Sequence, residues 1–125
     1  MEKDPFLGEP FKVHYFDTES TAQFPSFHST LVSYPFGSSV ASAFLDSAKT
    51  APVAAPQPAA SVLYIHGFND YFFQSEMAQK ADSAGYAFYA VDLHNYGRSL
   101  RSGDRIGEVH DIAEYFAELD SCIAE

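Results

Sequence analysis

The sequence predicts a single α/β domain, and three features carry this prediction. Two apolar runs, 62–65 and 87–91, have the length and composition of buried strands. A segment with helical periodicity follows each run, at 71–84 and at 107–125. Because parallel strands need a crossover connection, the order strand, helix, strand, helix indicates a right-handed βαβα unit. The length of 125 residues, with 46% hydrophobic and 16% aromatic residues, is enough for one packed core.

The beginning of the chain is less regular. We treat residues 1–26 as an N-terminal segment without a clear period and residues 27–125 as the portion that holds the domain. Residues 27–34 combine β-branched and aromatic side chains with partial alternation, and they predict a strand. Residues 40–45 are a candidate partner strand. The Ala- and Pro-rich stretch 46–61 predicts an exposed, semi-stiff connection, because proline removes backbone donors and favours extended chain.

The middle of the chain predicts a buried strand and a helix. Val62 to Ile65 is a continuous apolar run, which fits a strand buried on both faces. We expect the following helix to begin at a cap provided by Asn69 or Asp70 and to end with Gly85 at its C′ position. The apolar stripe of this helix consists of Phe73, Met77, Ala81 and Ala84.

The last part of the chain predicts an amphipathic helix. The second apolar run ends at Asp92, and a polar loop rich in Gly and Arg leads from it to the helix at 107–125. One face of this helix is apolar and the opposite face is mostly acidic. The apolar positions are Val109, Ile112, Phe116, Leu119 and Ile123, and the acidic ones are Glu108, Asp111, Glu114, Glu118 and Glu125.

Composition argues against several classes of protein. A formal net charge of -10 and a pI of about 4.7 disfavour nucleic acid and electrostatic docking on anionic lipid. The single cysteine, Cys122, rules out an internal disulfide framework. The acidic N-terminus lacks the apolar core of a secretion signal, and no apolar stretch approaches the roughly 18 residues of a membrane span. We therefore expect a soluble, cytoplasmic protein without a transmembrane segment.

In such sheets the functional residues lie at the carboxyl ends of the strands. These ends lead here into the loops 66–70 and 92–99. In the first loop, Gly67 allows a tight turn with positive φ that exposes backbone N–H groups beside a helix N-terminus. Such groups attract negative charge, including that of a developing oxyanion. A plain strand-to-helix turn explains the glycine equally well. For His66 we favour a hydrogen-bonded imidazole that fixes the loop over an acid–base role.

The second loop has two interpretations. An acid such as Asp92 at the end of a strand is typical of ribose binding, but that function needs G-x-G-x-x-G after the first strand, where only Gly67 occurs. The alternative is a structural turn in which Asp92 and Asn95 bond local backbone and Gly97 is left-handed. Ser99 lies seven residues beyond Asp92 and lacks the closing glycine of a nucleophile elbow, so we do not expect it to be a nucleophile.

The other histidines and the arginines have ordinary explanations. The histidines fit surface or edge positions, or lack further metal ligands at a recognisable spacing. They are His14, His28, His94 and His110. The arginines of the second loop and its continuation could bind a carboxylate or a phosphate, but we favour neutralisation of the acidic last helix. They are Arg98, Arg101 and Arg105. No metal is therefore expected.

Three stretches of the chain combine into a known pattern. The first is the His-Gly-Phe sequence at 66–68, which matches an H-G-x oxyanion loop. The second, 92–99, is similar to a D-x-x-G-x-G-x-S loop, with Asn95 and Tyr96 in place of Gly and His. The third is the helical segment 115–120. Together they resemble the N-terminal half of an α/β-hydrolase of the monoacylglycerol lipase and lysophospholipase group, also called the serine aminopeptidase S33 type.

This resemblance, which covers residues 28–125, implies an incomplete α/β-hydrolase fold with N-terminal strands, an oxyanion loop and two crossover helices. It implies acyl transfer through a serine nucleophile, with the backbone N–H of Phe68 as one oxyanion donor and no cofactor. The nucleophile, the acid and the histidine of the triad would lie beyond Glu125, so no catalytic residue is assigned in this chain. The cleft would be lined by Asn69, Asp70, Asp92, Tyr96, Gly97 and Ser99.

Two hypotheses for the function follow. The first is a fragment of a serine hydrolase that acts on carboxylic esters such as a lipid or lysolipid, with Tyr71, Phe72 and Phe73 beside the acyl chain. Core packing explains these aromatic residues as well, and the choice between esterase and peptidase depends on residues outside the chain. The second is a non-catalytic, truncated paralogue or pseudoenzyme that acts as a binding module. We expect residues 1–125 alone to be inactive and to expose an unpaired hydrophobic sheet edge.

Overall fold

The structure, a computed structural model, describes residues 2–39, 57–68, 70–109 and 111–124. These residues contain five strands and two α-helices. The strands are β1 (Glu2–Lys3), β2 (Lys12–Asp17), β3 (His28–Tyr34), β4 (Ala60–Ile65) and β5 (Tyr86–Asp92). The helices are α1 (Ser75–Ser83) and α2 (Tyr115–Ala124), and short 3-10 helices span Gly97–Ser99 and Ile112–Glu114. The chain is therefore of the α/β class, as predicted.

The five strands form one mixed sheet in the order β1-β2-β3-β5-β4. β3 is antiparallel to both of its neighbours, β2 and β5. β4 and β5 are parallel, with Ala60 opposite Tyr86 and Ile65 opposite Val91. Since α1 connects these two parallel strands, the predicted strand–helix–strand unit is confirmed, and so is the strand predicted just before Pro35.

The N-terminal segment contributes to this sheet. β2 pairs with β3 along its whole length, from Lys12 opposite Ser33 to Asp17 opposite His28. Val13 is the one deeply buried residue of β2, and the other five remain partly or fully exposed. A strand with so little burial leaves a weak hydrophobic period, which is why the sequence alone did not reveal it.

The two helices cover opposite faces of the sheet. On the face that we call the α1 face, Phe72 and Ala78 pack against the strands. On the α2 face, Cys122 packs together with Tyr115 and Leu119. The strand residues of the α1 face are Val13, Val32, Tyr34, Phe88 and Ala90, and those of the α2 face are Leu31, Leu63, Tyr89 and Val91. Successive residues of β5 therefore enter two different cores, as the pleat of a strand requires.

The expectation that the strand at 62–65 is buried on both faces is wrong. β4 lies at the edge of the sheet, and Val62 and Ile65 remain 38% and 48% exposed. Within the described ranges β4 has a neighbour on one side alone, whereas full burial of a parallel strand needs flanking strands and helices over both faces. Its free edge carries no charged side chain between Ala60 and Ile65.

α1 begins later than predicted but ends as predicted. Its N-cap is Gln74, whose side chain makes no capping hydrogen bond, so the prediction of Asp70 as a cap is wrong. The other predicted cap, Asn69, lies outside the described residues. At the C-terminal end, Gly85 has a φ of +95° and takes the left-handed position that terminates many helices.

The buried side of α1 is determined by a charged residue. The predicted apolar stripe is wrong at Phe73 and Met77, which are 50% and 41% exposed, and at Ala84, which is also exposed, whereas Asp82 is buried. The Asp82 carboxylate accepts the N–H groups of Gly37 at 2.7 Å and Ser39 at 2.9 Å. These bonds hold α1 against the turn after β3, and a hydrophobic pattern cannot reveal them.

α2 begins at Tyr115 rather than at 107, and most of its predicted orientation is wrong, although Leu119 packs inward as predicted. Three residues of its predicted apolar face, Ile112, Phe116 and Ile123, are 73%, 61% and 75% exposed. Glu114 and Glu118, predicted on the solvent side, are only 6% and 0% exposed. Hydrogen bonds from His94 and Ser29 hold Glu118 inside the protein, and Phe116 and Ile123 of α2 are left on the exposed side.

Several predictions concern parts of the chain that the structure does not describe. They are the partner strand at 40–45, the larger part of the connection 46–61, and the surface position of His110. Residues 57–61 of that connection are described and are mostly exposed, as predicted, but Ala60 and Ser61 belong to β4, so the predicted end of the connection is wrong. Among the helices that the structure describes, none combines the length and the apolar character needed to cross a bilayer.

The uncharged free edge of β4 predicts self-association. Val62→Lys places a charge on this edge and is expected to shift the chain toward the monomer, because charged side chains oppose edge-to-edge pairing. Sedimentation velocity over a series of concentrations measures the shift. Tyr86→Lys is a matched control, since Tyr86 is similarly exposed (40%) but belongs to β5, which is paired on both sides. A wild-type chain that stays monomeric at high concentration would contradict the prediction.

Candidate functional site

His66 joins the two loops at the carboxyl ends of the parallel strands. Its ring Nδ1 lies 2.8 Å from the Gly67 carbonyl oxygen, and its Nε2 lies 3.1 Å from the backbone nitrogen of Leu93. The imidazole is 6% exposed, and its ring centre lies 4.5 Å from that of Tyr96. The predicted role of a hydrogen-bonded imidazole that fixes the loop is confirmed.

Gly67 does not adopt the conformation that we predicted. It is absent from the residues with positive φ, which include six other glycines of the described chain. A Cβ atom built at Gly67 would meet nothing within 4 Å. Neither backbone strain nor crowding within the described residues therefore requires glycine here, and the prediction of a left-handed turn at this position is wrong.

Phe68 is the most open residue of the first loop. Its side chain is 82% exposed, and its backbone N–H makes no hydrogen bond to any other described residue. Asp70 is half-buried, and Asn69 lies outside the described residues. Among the described residues, the Phe68 N–H thus has no acceptor, and it lies at the end of β4, beside the free edge of the sheet.

Asp92 holds the second loop from inside the protein. Its side chain is 0% exposed, and each carboxylate oxygen accepts hydrogen bonds. Oδ1 accepts the N–H of Phe72 at 2.9 Å, and Oδ2 accepts both the backbone N–H and the Nη1 of Arg98 at 2.9 Å. This confirms the interpretation of the second loop as a structural turn, and no side-chain oxygen of Asp92 remains for a ribose.

Arg98 is neither an anion site nor a partner of the last helix, so both of our interpretations of it are wrong. Its guanidinium group bonds Asp4 twice, through Nε to Oδ1 at 2.6 Å and through Nη2 to Oδ2 at 2.7 Å. Its Nη1 also donates to the Phe72 carbonyl at 2.6 Å. A bidentate pair of this kind is among the stronger charge-assisted contacts in proteins. It fastens the N-terminal segment to the second loop.

Gly97 is required by its surroundings. It has a φ of +44°, and a Cβ atom at this position would lie 2.5 Å from Tyr71 Cβ and 2.7 Å from Asp92 Oδ2. The predicted left-handed conformation is confirmed. Ser99 follows in the 3-10 helix, is 1% exposed, and donates its hydroxyl to the Asp92 carbonyl at 2.5 Å. A serine held in this way is a structural residue.

Tyr96 connects the first loop to the last helix. It is 3% exposed, contacts the His66 ring, and interacts with Tyr115 of α2. Burial raises the pKa of Tyr115 above its ordinary value, and the hydrogen bond with Tyr96 raises it further. Tyr96 therefore lies in the interior, below the predicted cleft, and contributes little to the surface of that cleft.

A buried cluster around His94 and Glu118 was not predicted from the sequence. Glu118 Oε1 accepts the His94 backbone N–H at 2.7 Å and the Ser29 hydroxyl, and its Oε2 lies 2.6 Å from His94 Nδ1. His94 Nε2 lies 3.2 Å from Glu114 Oε1, and the Phe27 ring stacks on the imidazole at 4.1 Å. A cavity of about 230 Å³ opens beside this cluster. The only hint in the sequence was the placement of two glutamates four residues apart.

Four polar side chains of the two loops are used within the protein, namely those of His66, Asp92, Arg98 and Ser99. The Phe68 N–H has no acceptor among the described residues. Within the described parts of the chain, no three His, Cys, Asp or Glu side chains are placed to hold a metal ion. The arrangement suits a group that accepts a hydrogen bond.

Replacement of Gly97 is expected to destabilise the protein by at least about 1–3 kcal/mol, because Gly97→Ala combines a left-handed residue with a steric conflict. Gly103→Ala, at a φ of +90° with open space around it, isolates the cost of the backbone conformation. Gly67→Ala has neither cost and is expected to stay within roughly 0.5 kcal/mol of the wild type. Urea unfolding measures all three, and equal losses at Gly97 and Gly103 would contradict the steric contribution.

Acid is expected to destabilise the protein through Asp4. Burial by itself would raise the pKa of Asp4, but the hydrogen bonds and charge of Arg98 outweigh it and lower the pKa below 3.8. A carboxyl group with a lowered pKa stabilises the fold above its unfolded pKa, and this contribution is lost as the pH falls through the folded pKa. The free energy of unfolding is thus expected to decrease below about pH 4, and less steeply in Asp4→Asn.

At neutral pH, Asp4→Asn is expected to cost about 3–5 kcal/mol, because it leaves Arg98 buried with one of its two carboxylate partners missing. The matched control is Glu9→Gln, which breaks the exposed Glu9–Lys12 pair at 3.0 Å and is expected to cost about 0–1 kcal/mol. A loss at Asp4 no larger than that at Glu9 would show that the buried pair does not support the fold.

Comparisons with known proteins do not identify this chain. No family model, curated protein or solved structure matches it. Any function has therefore to be inferred from the geometry of its own residues.

Proposed function

We propose that this chain is the N-terminal part of a serine hydrolase that acts on carboxylic esters, of the lipase and lysophospholipase kind. Its contribution to the reaction is the backbone N–H of Phe68, which would donate a hydrogen bond to the oxyanion. The observation that carries the proposal is the position of this free donor. It lies at the carboxyl end of a parallel strand, directly beside the open edge of the sheet.

The course of the chain supports a further strand at that edge. α1 lies on one face of the sheet and leads from β4 to β5, whereas α2 follows β5 on the opposite face. Crossover connections are right-handed almost without exception. A right-handed connection on the opposite face crosses the sheet in the opposite direction, from β5 over β4 and beyond it. A strand that followed α2 would therefore lie along the free edge of β4 and parallel to it.

The end of α2 is already close to the beginning of β4. A groove of about 360 Å³ separates them, lined by Val62 and Leu63 of β4 and by Cys122 and Ile123 of α2. A strand that entered here would end next to Phe68, because the carboxyl ends of parallel neighbours meet at the same edge of a sheet about 4.8 Å apart. A nucleophile placed directly after that strand would face the Phe68 N–H.

Acyl transfer is the reaction that uses such a donor. When a serine oxygen attacks an ester carbonyl, the carbonyl oxygen gains negative charge, and an amide already aimed at it stabilises the transition state. A histidine takes the serine proton and returns it to the leaving group, and an acid orients that histidine. In the proposal these three residues are supplied by polypeptide outside residues 1–125. The reaction needs no metal or organic cofactor.

The proposed substrate is an ester with an apolar acyl chain. Phe68, Tyr71 and Phe73 are exposed beside the loop, by 82%, 38% and 50%. The rings of Tyr71 and Phe73 lie 5.3 Å apart and give a continuous aromatic surface. Phe72, which we had expected to share this role, is 0% exposed and belongs to the core instead.

A binding module without catalysis is the second candidate. One observation favours it, namely the exposed apolar residues Ile112, in the 3-10 helix before α2, and Phe116 and Ile123 of α2. Surfaces of this kind are typical of protein contacts. The same face would also be covered by the remainder of a hydrolase domain, so the two candidates differ in what the polypeptide contains beyond these residues.

Sequencing of the transcript downstream of codon 125 tests the proposal. We expect an open reading frame that encodes a strand followed by G-x-S-x-G, and labelling of the resulting polypeptide by a fluorophosphonate serine probe. The chain of residues 1–125 is expected to remain unlabelled, with or without Ser99→Ala. A stop codon directly after residue 125 would favour the binding module, and labelling that Ser99→Ala abolishes would overturn our assignment of the nucleophile.

Phe68→Pro removes the proposed oxyanion donor and is expected to lower kcat of that longer polypeptide about 10²- to 10³-fold, with a smaller change in KM. Phe68→Ala keeps the amide while removing the ring, so it is the matched control and is expected to act mainly on KM for long acyl chains. Equal kcat values in the two variants would contradict the role of the amide. Esterase assays with short and long acyl esters measure both parameters.

A further inference from the structure

We propose that His66 is a positioning residue, which sets the direction of the Phe68 N–H by holding the Gly67 carbonyl oxygen. This inference rests on the proposed function for its purpose, but its structural content can be tested separately. It goes beyond fixing the shape of the loop, because it assigns different tasks to the two ring nitrogens. Three observations carry it.

The first observation concerns the proton on the imidazole. The Leu93 backbone nitrogen can only donate, so Nε2, at 3.1 Å from it, must accept. The Gly67 carbonyl oxygen can only accept, so Nδ1, at 2.8 Å, must donate. Both contacts are satisfied together only by the neutral ring that carries its hydrogen on Nδ1. The surrounding backbone thus selects one tautomer of His66.

The second observation concerns the peptide unit between Gly67 and Phe68. This unit is trans and planar, so its carbonyl oxygen and its N–H point in opposite directions. When Nδ1 holds the oxygen on the side of the imidazole, the Phe68 N–H is turned to the other side, away from the ring. Rotation of the peptide plane would break the Nδ1 bond.

The third observation is that the imidazole itself cannot turn freely. Leu93 follows β5 directly, so the Nε2 bond ties the ring to the neighbouring strand end. The ring of Tyr96, 4.5 Å away at an angle of 58°, covers the imidazole, and both side chains are almost completely buried. The imidazole thus fixes the direction of the Phe68 N–H on the first loop relative to the backbone of the second loop. For a developing oxyanion, a donor that is already oriented needs no reorganisation during the reaction.

Two conservative variants separate the tasks of the two nitrogens. His66→Asn can keep a donor near the position of Nδ1 but loses the acceptor for Leu93. His66→Gln can offer an acceptor near the position of Nε2 but loses the donor for Gly67. Both variants remove one hydrogen bond, so a merely structural role would give them similar stability losses and no difference at Phe68.

The measurement is made on the full chain carrying Val62→Lys to limit self-association. The residual dipolar coupling of the Phe68 N–H, referred to the amides of β5, reports its direction. We expect the coupling to be retained in His66→Asn and changed in His66→Gln, whereas amide exchange at Leu93 should accelerate roughly fivefold in His66→Asn alone. Exchange is also measured by mass spectrometry at micromolar concentration, where association is weakest. A long-range nitrogen–proton spectrum of the wild type should show the hydrogen on Nδ1.

An unchanged Phe68 coupling in His66→Gln, an equal change in both variants, or a hydrogen found on Nε2 would overturn the inference. Because no substrate is used, these outcomes are independent of the hydrolase proposal. If the longer polypeptide fails to react with a serine probe while the variants behave as expected, the proposed function is wrong and the positioning of the amide by His66 stands.

Discussion

One buried carboxylate, that of Asp92, determines how the loops above the sheet are arranged. It ends β5, and its two oxygens accept hydrogen bonds from Phe72 ahead of α1 and from Arg98 in the second loop. Arg98 in turn holds Asp4 near the N-terminus. Removal of the carboxylate would leave the buried N–H groups of Phe72 and Arg98 without their acceptor and the buried guanidinium with Asp4 as its one remaining carboxylate partner, which costs more than the bonds themselves contribute. The same group that a nucleotide-binding protein would offer to a ribose is here consumed by the fold.

The parts of the fold that the sequence predicted are those that depend on local patterns. β4 and β5 were recognisable because both are continuous apolar runs, and Gly85 marked the end of α1 by its tolerance of positive φ. The orientation of α2 could not be predicted in this way. Its periodicity is real, but Glu118 faces inward because His94 and Ser29 offer it hydrogen bonds, and those residues are 24 and 89 positions away. Contacts across such separations override the hydrophobic period.

In the candidate site, too, the sequence predicted features that depend on local patterns better than contacts between distant residues. His66 was correctly predicted as a loop-fixing residue, because a histidine between a buried strand and a turn has polar backbone groups within reach. Gly67 was misjudged, since it lacks the positive φ expected of it, whereas Gly97 has the expected positive φ and Tyr71 leaves no room there for a Cβ atom. The role of Arg98 was hidden for a further reason. Its main partner, Asp4, belongs to the segment in which the sequence shows no period.

The bidentate contact between Asp4 and Arg98 also has a consequence for the order of folding. It joins residues 94 positions apart, whereas β2 and β3 are close in sequence and can pair early. During synthesis at roughly 5–20 residues per second, Asp4 is translated several seconds before its partner Arg98. Closing so long a loop is entropically costly and slow. The segment around Asp4 therefore reaches its final place after β2 and β3 have paired.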